Sequence, residues 1–583
     1  MSAKKIYGID LGTTYSCISH LDEFDQVEVI DIRSEAKKLL PSVVYVPEPD
    51  DSGEAPYSIG GAAKQMAKFS PERVISVSKR HMSDALWRTY KIDGEVLTPV
   101  DVAAAILKHI AQEATAKLGS PVEDVVITVP AYFGTNERKR TEEAGMLAGL
   151  KVHGILAEPM AAALHYKIHE DEDQEQTVLV YDLGGGTFDV TIMHFSGKDR
   201  ETLAVKGDHN LGGYLWDEVL AKQWAEDISQ IVEVDSDEVW SDPECQASLL
   251  LEAEETKIRL SGIKKQVGTA LFRGIPYQLK IDRDTFDGLT SGLLENTISL
   301  VDQALEVAGR NHPGHTIDKI LLVGSSTLMP QVSARLKDRF GPSMEMLNDD
   351  PHFAVAKGAA IYAHEMQVKE WIRTYVDMHF QRDENDGDAT GRGEIFKGLS
   401  EPDRQQAMEK AAIALGKPVE TISSIIERTL INISPKSFGI VHYLGDGEQL
   451  MVTNLIRAQD KVPARGTRGF GTRHENQAEV ELICVENDRE LGPDDEPVPY
   501  DPDEQIGIAR VGLKTGLPKG SPITVTIEFT EDGIVRVHGR DEKGGGEATG
   551  EFVSRVAPMT QQEMKRKQQK LDERFSKPSD EED

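Results

Sequence analysis

At 583 residues the chain is long enough for three or four domains, each able to bury a core of its own. A formal charge of −34 at pH 7 repels nucleic acid and anionic membrane surfaces, and no apolar run approaches the ~18–20 residues that a membrane span needs. Met1-Ser2-Ala3-Lys4-Lys5 leads straight into a strand instead of a secretory leader, and Cys17, Cys245 and Cys484 lie far apart without a metal spacing; the expectation is a cytoplasmic protein with free thiols and neither nucleic-acid nor membrane partners.

The first predicted element, Gly8-Ile9-Asp10-Leu11-Gly12-Thr13-Thr14-Tyr15, is an apolar strand that delivers an aspartate and then turns through glycine and threonine. The pattern recurs as Val180-Tyr181-Asp182-Leu183-Gly184-Gly185-Gly186-Thr187-Phe188-Asp189. In such a turn the backbone N–H groups point into a concavity that suits phosphate oxygens, and the threonine hydroxyl adds a donor. The aspartate can hold the waters of Mg²⁺, a cation that keeps much of its hydration shell. One Asp-x-Gly-x-Thr is a common glycine turn. Two copies facing each other would grip one nucleoside triphosphate from both sides. Val125-Val126-Ile127-Thr128-Val129-Pro130 and Lys319-Ile320-Leu321-Leu322-Val323-Gly324 read as buried strands that each run into a helix-starting turn. Residues 1 to about 365 therefore alternate strand and helix, and the duplicated turn predicts two similar α/β lobes with the nucleotide between them.

Val368, Trp371, Ile372, Tyr375 and Val376 recur at helical spacing. A Gly/Asp-rich loop at 386–394 follows, and Ser400-Glu401-Pro402-Asp403 starts a capped helix with Met408, Ala411, Ala412 and Leu415 as its stripe and Gly416-Lys417-Pro418 as its stop. The segment is read as a helical extension packed on the α/β part, with a separate partner-docking module as the alternative. Residues 433–557 switch to alternating patterning: Ile523-Thr524-Val525-Thr526-Ile527-Glu528-Phe529, a turn at Glu531-Asp532-Gly533 and a return strand Ile534–Val537 predict a β-hairpin in an all-β domain. Thr560 to about Phe575 is helical in composition, and Ser579–Asp583 is an acidic tail.

The two turns, together with Asp124-Val125-Val126-Ile127-Thr128-Val129-Pro130-Ala131-Tyr132-Phe133, Glu158-Pro159-Met160-Ala161-Ala162-Ala163 and Val323-Gly324-Ser325-Ser326-Thr327, closely resemble the nucleotide-binding domain of the heat-shock protein 70 chaperones over the first 365 residues. That fold is shared with actin and the sugar kinases. Asn432-Ile433-Ser434-Pro435-Lys436-Ser437-Phe438-Gly439 and Phe470-Gly471-Thr472-Arg473-His474-Glu475-Asn476-Gln477 are similar to the peptide-binding β-sandwich of the same chaperones, which actins and sugar kinases lack. The resemblance implies an actin-like two-lobed α/β nucleotide-binding domain at 1–365, the helical extension at 366–426, an interdomain linker at 427–432, an all-β sandwich peptide-binding domain at 433–557, and a short helix with an acidic tail at 558–583 in place of the family's long lid. The implied activity is slow ATP hydrolysis coupled to binding of extended, unfolded peptide.

By the same resemblance Lys79 is the active-site lysine, Asp10 and Asp182 hold hydrated Mg²⁺, and Glu158 and Asp189 surround the water network. Gly12, Thr13, Thr14, Tyr15, Gly184, Gly185, Gly186, Thr187, Gly212 and Gly213 surround the phosphates of ATP or ADP, with K⁺ a further cation. Glu254, Lys257 and Ser261 face the ribose and base, as do Gly324, Ser325 and Ser326. Arg138 and Pro159 relay nucleotide state, and Leu430 and Ile431 form the linker's apolar centre. Phe470, Val480 and Leu482 are the implied peptide pocket, with Tyr443 and Arg473 as an arch over the peptide.

The chain also departs from the family. Ile258 and Leu328 stand where two arginines would sandwich the base, and His352 replaces an aspartate. Arg428 and Thr429 flank the linker's apolar pair, and burying them without partners would oppose insertion. Gly154 and Asn432 replace two charged groups that receive the J-domain co-chaperone, which leaves that partner doubtful and a nucleotide exchange factor possible. An alternative function is therefore a nucleotide-gated scaffold with one dedicated partner and little turnover. A sugar or small-molecule kinase is contradicted by the sandwich.

Overall fold

A computed structural model describes residues 5–22, 24–35, 38–49, 55–82, 89–167, 175–348, 350–380, 395–396, 399–445, 447–531, 533–552 and 559–575. The expected Gly/Asp-rich loop at 386–394, the turn residue Asp532 and the acidic tail at 579–583 lie outside the described residues.

The first sheet is built from β1 (Ile6–Asp10), β2 (Tyr15–Leu21), β3 (Val27–Val29), β4 (Asp124–Val129) and β5 (Lys151–Ala157) in the order β5-β4-β1-β2-β3, with Leu40–Pro41 as a short extra partner of β2. α1 (Pro99–Leu118) and α2 (Thr135–Leu147) cover it, and α3 (Glu158–Lys167) follows β5 directly. The second sheet repeats the plan. β6 (Gln176–Leu183), β7 (Phe188–Ser196) and β8 (Asp199–Asp208) form a meander, α4 (Gly213–Val232) and α5 (Pro243–Gly262) lead to the hairpin β9 (Lys265–Phe272) and β10 (Ile275–Asp282), and α6 (Arg283–Asn311) returns the chain to β11 (Lys319–Val323), α7 (Pro330–Phe340) and β12 (Glu345–Leu347). β4 and β6 are buried throughout, which explains their unbroken apolar runs.

α8 (Ala354–His379) joins the two halves. It reaches both because its contact face is small: Ala354, Ala356, Ala359, Ala360 and Ala363 are buried, and a Cβ on Gly358 would lie 1.6 Å from the Ala161 carbonyl oxygen of α3. Past the sheets α8 continues into the predicted extension, where Val368, Ile372 and Val376 pack on Ala407, Ala411 and Ala412 of α9 (Glu401–Leu415) and on Ile422 and Ile425 of α10 (Val419–Glu427). Ser400 caps α9 and Gly416 ends it in the left-handed region, as the residues predicted. The second short helix, α10, was hidden in the sequence because Pro418 reads as a stop while it serves here as the residue before a new start.

β13 (Thr429–Ile431) then adds a parallel edge strand to β8, so the second sheet runs β12-β11-β6-β7-β8-β13. The remaining strands are β14 (Ser437–Tyr443), β15 (Leu450–Ile456), β16 (Ala464–Gly471), β17 (Glu479–Asn487), β18 (Val498–Pro499), β19 (Gln505–Gly512), β20 (Pro522–Phe529), β21 (Val535–Asp541) and β22 (Glu547–Phe552). They form a five-stranded sheet, β18-β15-β14-β17-β19, facing a four-stranded one, β16-β20-β21-β22. The alternation read from Ile523 to Phe529 is the inward face of β20, and Ile523, Val525, Ile527 and Phe529 share one core with Phe438, Leu482 and Val537.

The terminal helix α11 (Gln561–Phe575) does not lie on the sandwich. Leu571 enters the core beneath the first sheet, Lys567 pairs with Asp101 at 2.7 Å, Gln568 donates to the Met146 carbonyl at 2.6 Å, and Arg574 meets buried Glu95. Cys17, Cys245 and Cys484 are free and buried. No helix among the described residues is long and apolar enough to cross a membrane.

Candidate functional site

Strand β1 ends at Asp10 and β6 carries Asp182 one residue from its end, because in each case the apolar run stops where the chain must turn. The two turns meet. A Cβ on Gly185 would lie 2.1 Å from Thr14 Oγ1, and one on Gly186 would lie 2.4 Å from Thr13 Cγ2, so only glycine permits this approach. Gly12 N–H donates to Ser16 Oγ at 3.2 Å, Gly184 N–H donates to the Thr187 carbonyl at 3.1 Å, and the start of α4 supports the second turn through Gly213 N–H on the Gly184 carbonyl at 2.9 Å. Gly212 caps α4 in extended conformation. Between the turns lies a cavity of ≈ 70 Å³ whose walls include Asp10, Asp182, Lys79, Glu158, Ser325 and His352.

Lys79 is buried, donates to Glu158 Oε1 at 2.6 Å, and also meets the Leu11 carbonyl in the first turn. Glu158 is placed by the β5–α3 junction, with Pro159 next to it. Asp10 accepts from Thr128 Oγ1 at 3.1 Å, a buried hydroxyl in an otherwise apolar strand and a partner that the sequence reading missed. Burial, then repulsion from Glu158, pushes Asp10 up to about 7 despite the Lys79 ammonium. Asp182 is raised well above the carboxylate range by burial and by Glu158 and Asp10, and Asp189 by burial and by Glu158 and Asp182. Among the described residues Asp10, Glu158 and Asp182 share the Lys79 ammonium, and Asp182 Oδ2 is buried without a hydrogen-bond partner. A hydrated divalent cation fits that donor set, since it would supply both the charge and the donors that are lacking.

Lys79 rides on a short 3₁₀ turn, Ser78–His81, entered through Val77 at φ 49°, ψ 24°. A β-branched residue in the left-handed region is strained by ~1–2 kcal/mol. Val77→Asn is expected to stabilise the protein by about 1 kcal/mol, read as a raised denaturation midpoint; an unchanged or lower midpoint refutes the strain.

On the adenosine side, Glu254 accepts from Tyr15 OH at 2.9 Å and pairs with Lys64 at 2.5 Å, bridging the two halves. Burial and the Glu254 charge push Tyr15 up to about 12. Lys257 donates to Asp217 and to the Gly213 carbonyl, both at 2.8 Å, and Ser261 Oγ donates to the Lys257 carbonyl at 3.2 Å. Burial raises Asp217 to about 6 against the pull of Lys257. Gly324 opens the facing turn, Ser326 Oγ donates to the Gly184 carbonyl at 3.0 Å, and Ser325 Oγ lies 2.7 Å from His352 Nδ1. Ile258 and Leu328 are exposed, 58% and 40%, so each offers an aliphatic face and no planar cation.

The coupling residues meet at one edge. Leu430 packs on the same buried cluster as Tyr362 and Met366 and lines one groove with them, while Ile433 is buried with Ala131 and Val205. Arg428 and Thr429, expected to oppose insertion, are both satisfied: Arg428 pairs with buried Glu365 at 2.8 Å, which also pairs with Arg200 at 3.2 Å, and Thr429 Oγ1 donates to Asp199. The expected cost assumed no partners, and Glu365 lies in a segment with no motif to reveal it. The sandwich docks beside this strand. Gln459 accepts from Val205 N–H at 2.9 Å and donates to its carbonyl at 3.1 Å, and Lys461 pairs with Glu201 at 2.6 Å. Glu486 of β17 accepts from Thr135 N–H at 2.9 Å and Thr135 Oγ1 at 2.7 Å, capping α2 from the other domain. Arg138 of the same helix donates to the Phe133 carbonyl at 3.0 Å, and burial lowers it to about 10. Gly154 lies on a groove of ≈ 450 Å³ between the domains, where a Cβ would meet Met366 Sδ at 3.3 Å.

In the sandwich, the Arg473 guanidinium stacks 3.5 Å from the Tyr443 ring centroid, so the two arch positions come together. Leu482 is 2% exposed and fills the core instead of lining an open pocket, while Phe470 and Val480 stand half-buried at its rim.

Two comparisons bear on this geometry. The Hsp70 protein family matches residues 6–371. The chaperone protein DnaK of Halobacterium salinarum, in strain R1 and identically in strain NRC-1, is 32% identical over 552 residues, which cover 94% of this chain and 74% of the relative.

Proposed function

The chain belongs to the Hsp70 family, and from that premise we propose that it is an ATP-dependent chaperone whose ATPase site is built on Lys79, Glu158, Asp10, Asp182 and Asp189. The relatives favour this over a scaffold without turnover. ATP and Mg²⁺ are the family's substrate and cation, with K⁺ as a further one. Asp10 and Asp182 would hold the hydrated Mg²⁺, which when bound neutralises charge on the phosphates. Lys79 supplies the chain's own cation for the charge that develops on the transferring phosphoryl group, and Glu158 keeps that ammonium aimed into the cavity. Glu158 and Asp189 orient the attacking water, and Asp189, which burial and then Glu158 and Asp182 push toward the protonated form, takes up its proton.

The observation that carries the reading is the position of β13. It is a strand of the same sheet that holds Asp182 and Asp189, and it is also the covalent lead into the sandwich. Movement of either domain would therefore be felt at this edge. Extended peptide would bind the sandwich by backbone hydrogen bonds under the Tyr443–Arg473 stack, with the Phe470–Val480 rim receiving an apolar side chain. The test is release of a fluorescent peptide with and without ATP: acceleration by ATP is expected, and an identical rate refutes the coupled chaperone.

Base selectivity follows from Ile258 and Leu328. Without two guanidinium planes the base loses stacking and cation–π attraction of ~0.5–2 kcal/mol each. ATP and GTP should compete more evenly than in relatives with both arginines, and Ile258→Arg with Leu328→Arg should restore adenine preference. Strong adenine preference in the parent that survives alanine at both positions overturns this.

A further inference from the structure

A second cavity, of ≈ 210 Å³, lies on the other side of Lys79 from the triphosphate site. Its walls come from both domains: Lys79, Arg80, Tyr132 and His209 on the nucleotide side, Lys436 and Glu486 to Asp488 on the sandwich side. The volume is several times the ~30 Å³ share of one water and admits a hydrated tetrahedral anion. Most charges along it cancel. Lys79 pairs with Glu158, Lys436 with Asp488, Glu486 is held by Thr135, and Glu137 lies beside buried Arg138. Arg80 differs: it donates to the backbone carbonyls of His209 and Asn210 and stands 5.8 Å from the Tyr214 ring centroid, and among the described residues it feels Glu218 and Asp208 without making an ion pair with either. A second observation points the same way. Tyr132 OH is buried without a hydrogen-bond partner.

We propose that this cavity is a holding site for inorganic phosphate on its way out, entered past Lys79 after hydrolysis and closed on its far side by the docked sandwich. The inference rests on the ATPase reading above. A phosphate dianion leaving Lys79 would meet the guanidinium N–H groups of Arg80 that the His209 and Asn210 carbonyls leave open, with the Tyr132 hydroxyl as a further donor and Lys436, shared with Asp488, at the domain boundary. Because Lys436 and the Glu486 to Asp488 segment close the far side, phosphate departure and sandwich docking are linked: a docked sandwich retains the anion, and retained anion favours docking.

The test separates chemistry from release. In the full chain, acid quench measures ATP cleavage and a fluorescent phosphate sensor measures free phosphate in the same single turnover, while a titration of the Mg·ADP complex with inorganic phosphate measures affinity. Arg80→Gln and Lys436→Gln are each expected to weaken phosphate binding about tenfold and to speed phosphate release by a similar factor, with Lys436→Gln leaving cleavage at the parental rate. Arg80→Lys, which keeps the charge, should recover most of the affinity and guards against a folding artefact. Unchanged phosphate affinity in both glutamine variants overturns the holding site, as does a change in cleavage that tracks the change in release. If the parent cleaves no ATP, the ATPase reading fails by itself, and the phosphate titration still decides whether the cavity binds the anion.

Discussion

Lys79→Ala is expected to reduce single-turnover ATP hydrolysis at least a hundredfold while Mg-nucleotide binding survives. Among the described residues Lys79 is the ammonium that acts on Asp10, Glu158 and Asp182, and it reaches both the first turn and Glu158. Charge on the transferring phosphoryl group grows toward the transition state, so losing a preorganised cation there costs more in rate than in ground-state affinity; the loss of one such donor typically removes ~10²–10³ in rate. On the proposed reading, triphosphate affinity would draw on the backbone of both turns and on the hydrated cation that Asp10 and Asp182 would hold, and the substitution leaves both in place. The measurement pairs acid-quench kinetics with nucleotide titration. Equal rates in variant and parent overturn the role of Lys79, and loss of binding together with rate assigns it to the ground state instead.

Replacing Leu430 and Ile431 together with aspartate is expected to abolish the effect of ATP on peptide release. Leu430 packs on the same buried cluster as Tyr362 and Met366, and its strand pairs with Asp199 to Glu201 at the edge of the second sheet. Two carboxylates in place of the half-buried apolar pair forfeit part of the ~1.5–3 kcal/mol that a fully buried side chain contributes and add a charge that the neighbouring Glu365, Asp199 and Glu201 repel. The domains should undock while each stays folded, because neither the core of the sandwich nor the inner strands of the second sheet include these residues. On the coupled reading, ATP acts on peptide release through the linker and the docked sandwich. Fluorescent-peptide dissociation in the presence and absence of ATP reads the result. A variant that still responds to ATP as the parent does would move the coupling to other contacts, of which Glu486 on α2 and Gln459 on Val205 are the candidates.

Much of the site was legible because its chemistry is local. Asp10 and Asp182 close apolar strands, and the glycines that follow are demanded by turns that touch, so the pattern can be read within ten residues of chain. The strand at 523–529 was legible for a related reason: one face is buried, and period-2 alternation writes that face directly into the residues. The departures at Ile258, Leu328 and His352 were equally plain.

What the sequence by itself determined is thus the α/β repeat, the all-β part, the two glycine-rich turns and the identity of the acidic and basic groups around them, since each depends on residues that are neighbours in the chain. Only the tertiary structure decided that Arg428 and Thr429 are accommodated, because their partners Glu365 and Asp199 lie 63 and 230 residues away. It also decided that Glu486 caps a helix of another domain, that Leu482 belongs to a core and not to an open pocket, and that the terminal helix seats Arg574 on Glu95 beneath the first sheet. A charge or an apolar side chain carries no mark of which distant surface will meet it. The cost of burying it is settled by the partner, and the partner is chosen when the domains close on one another.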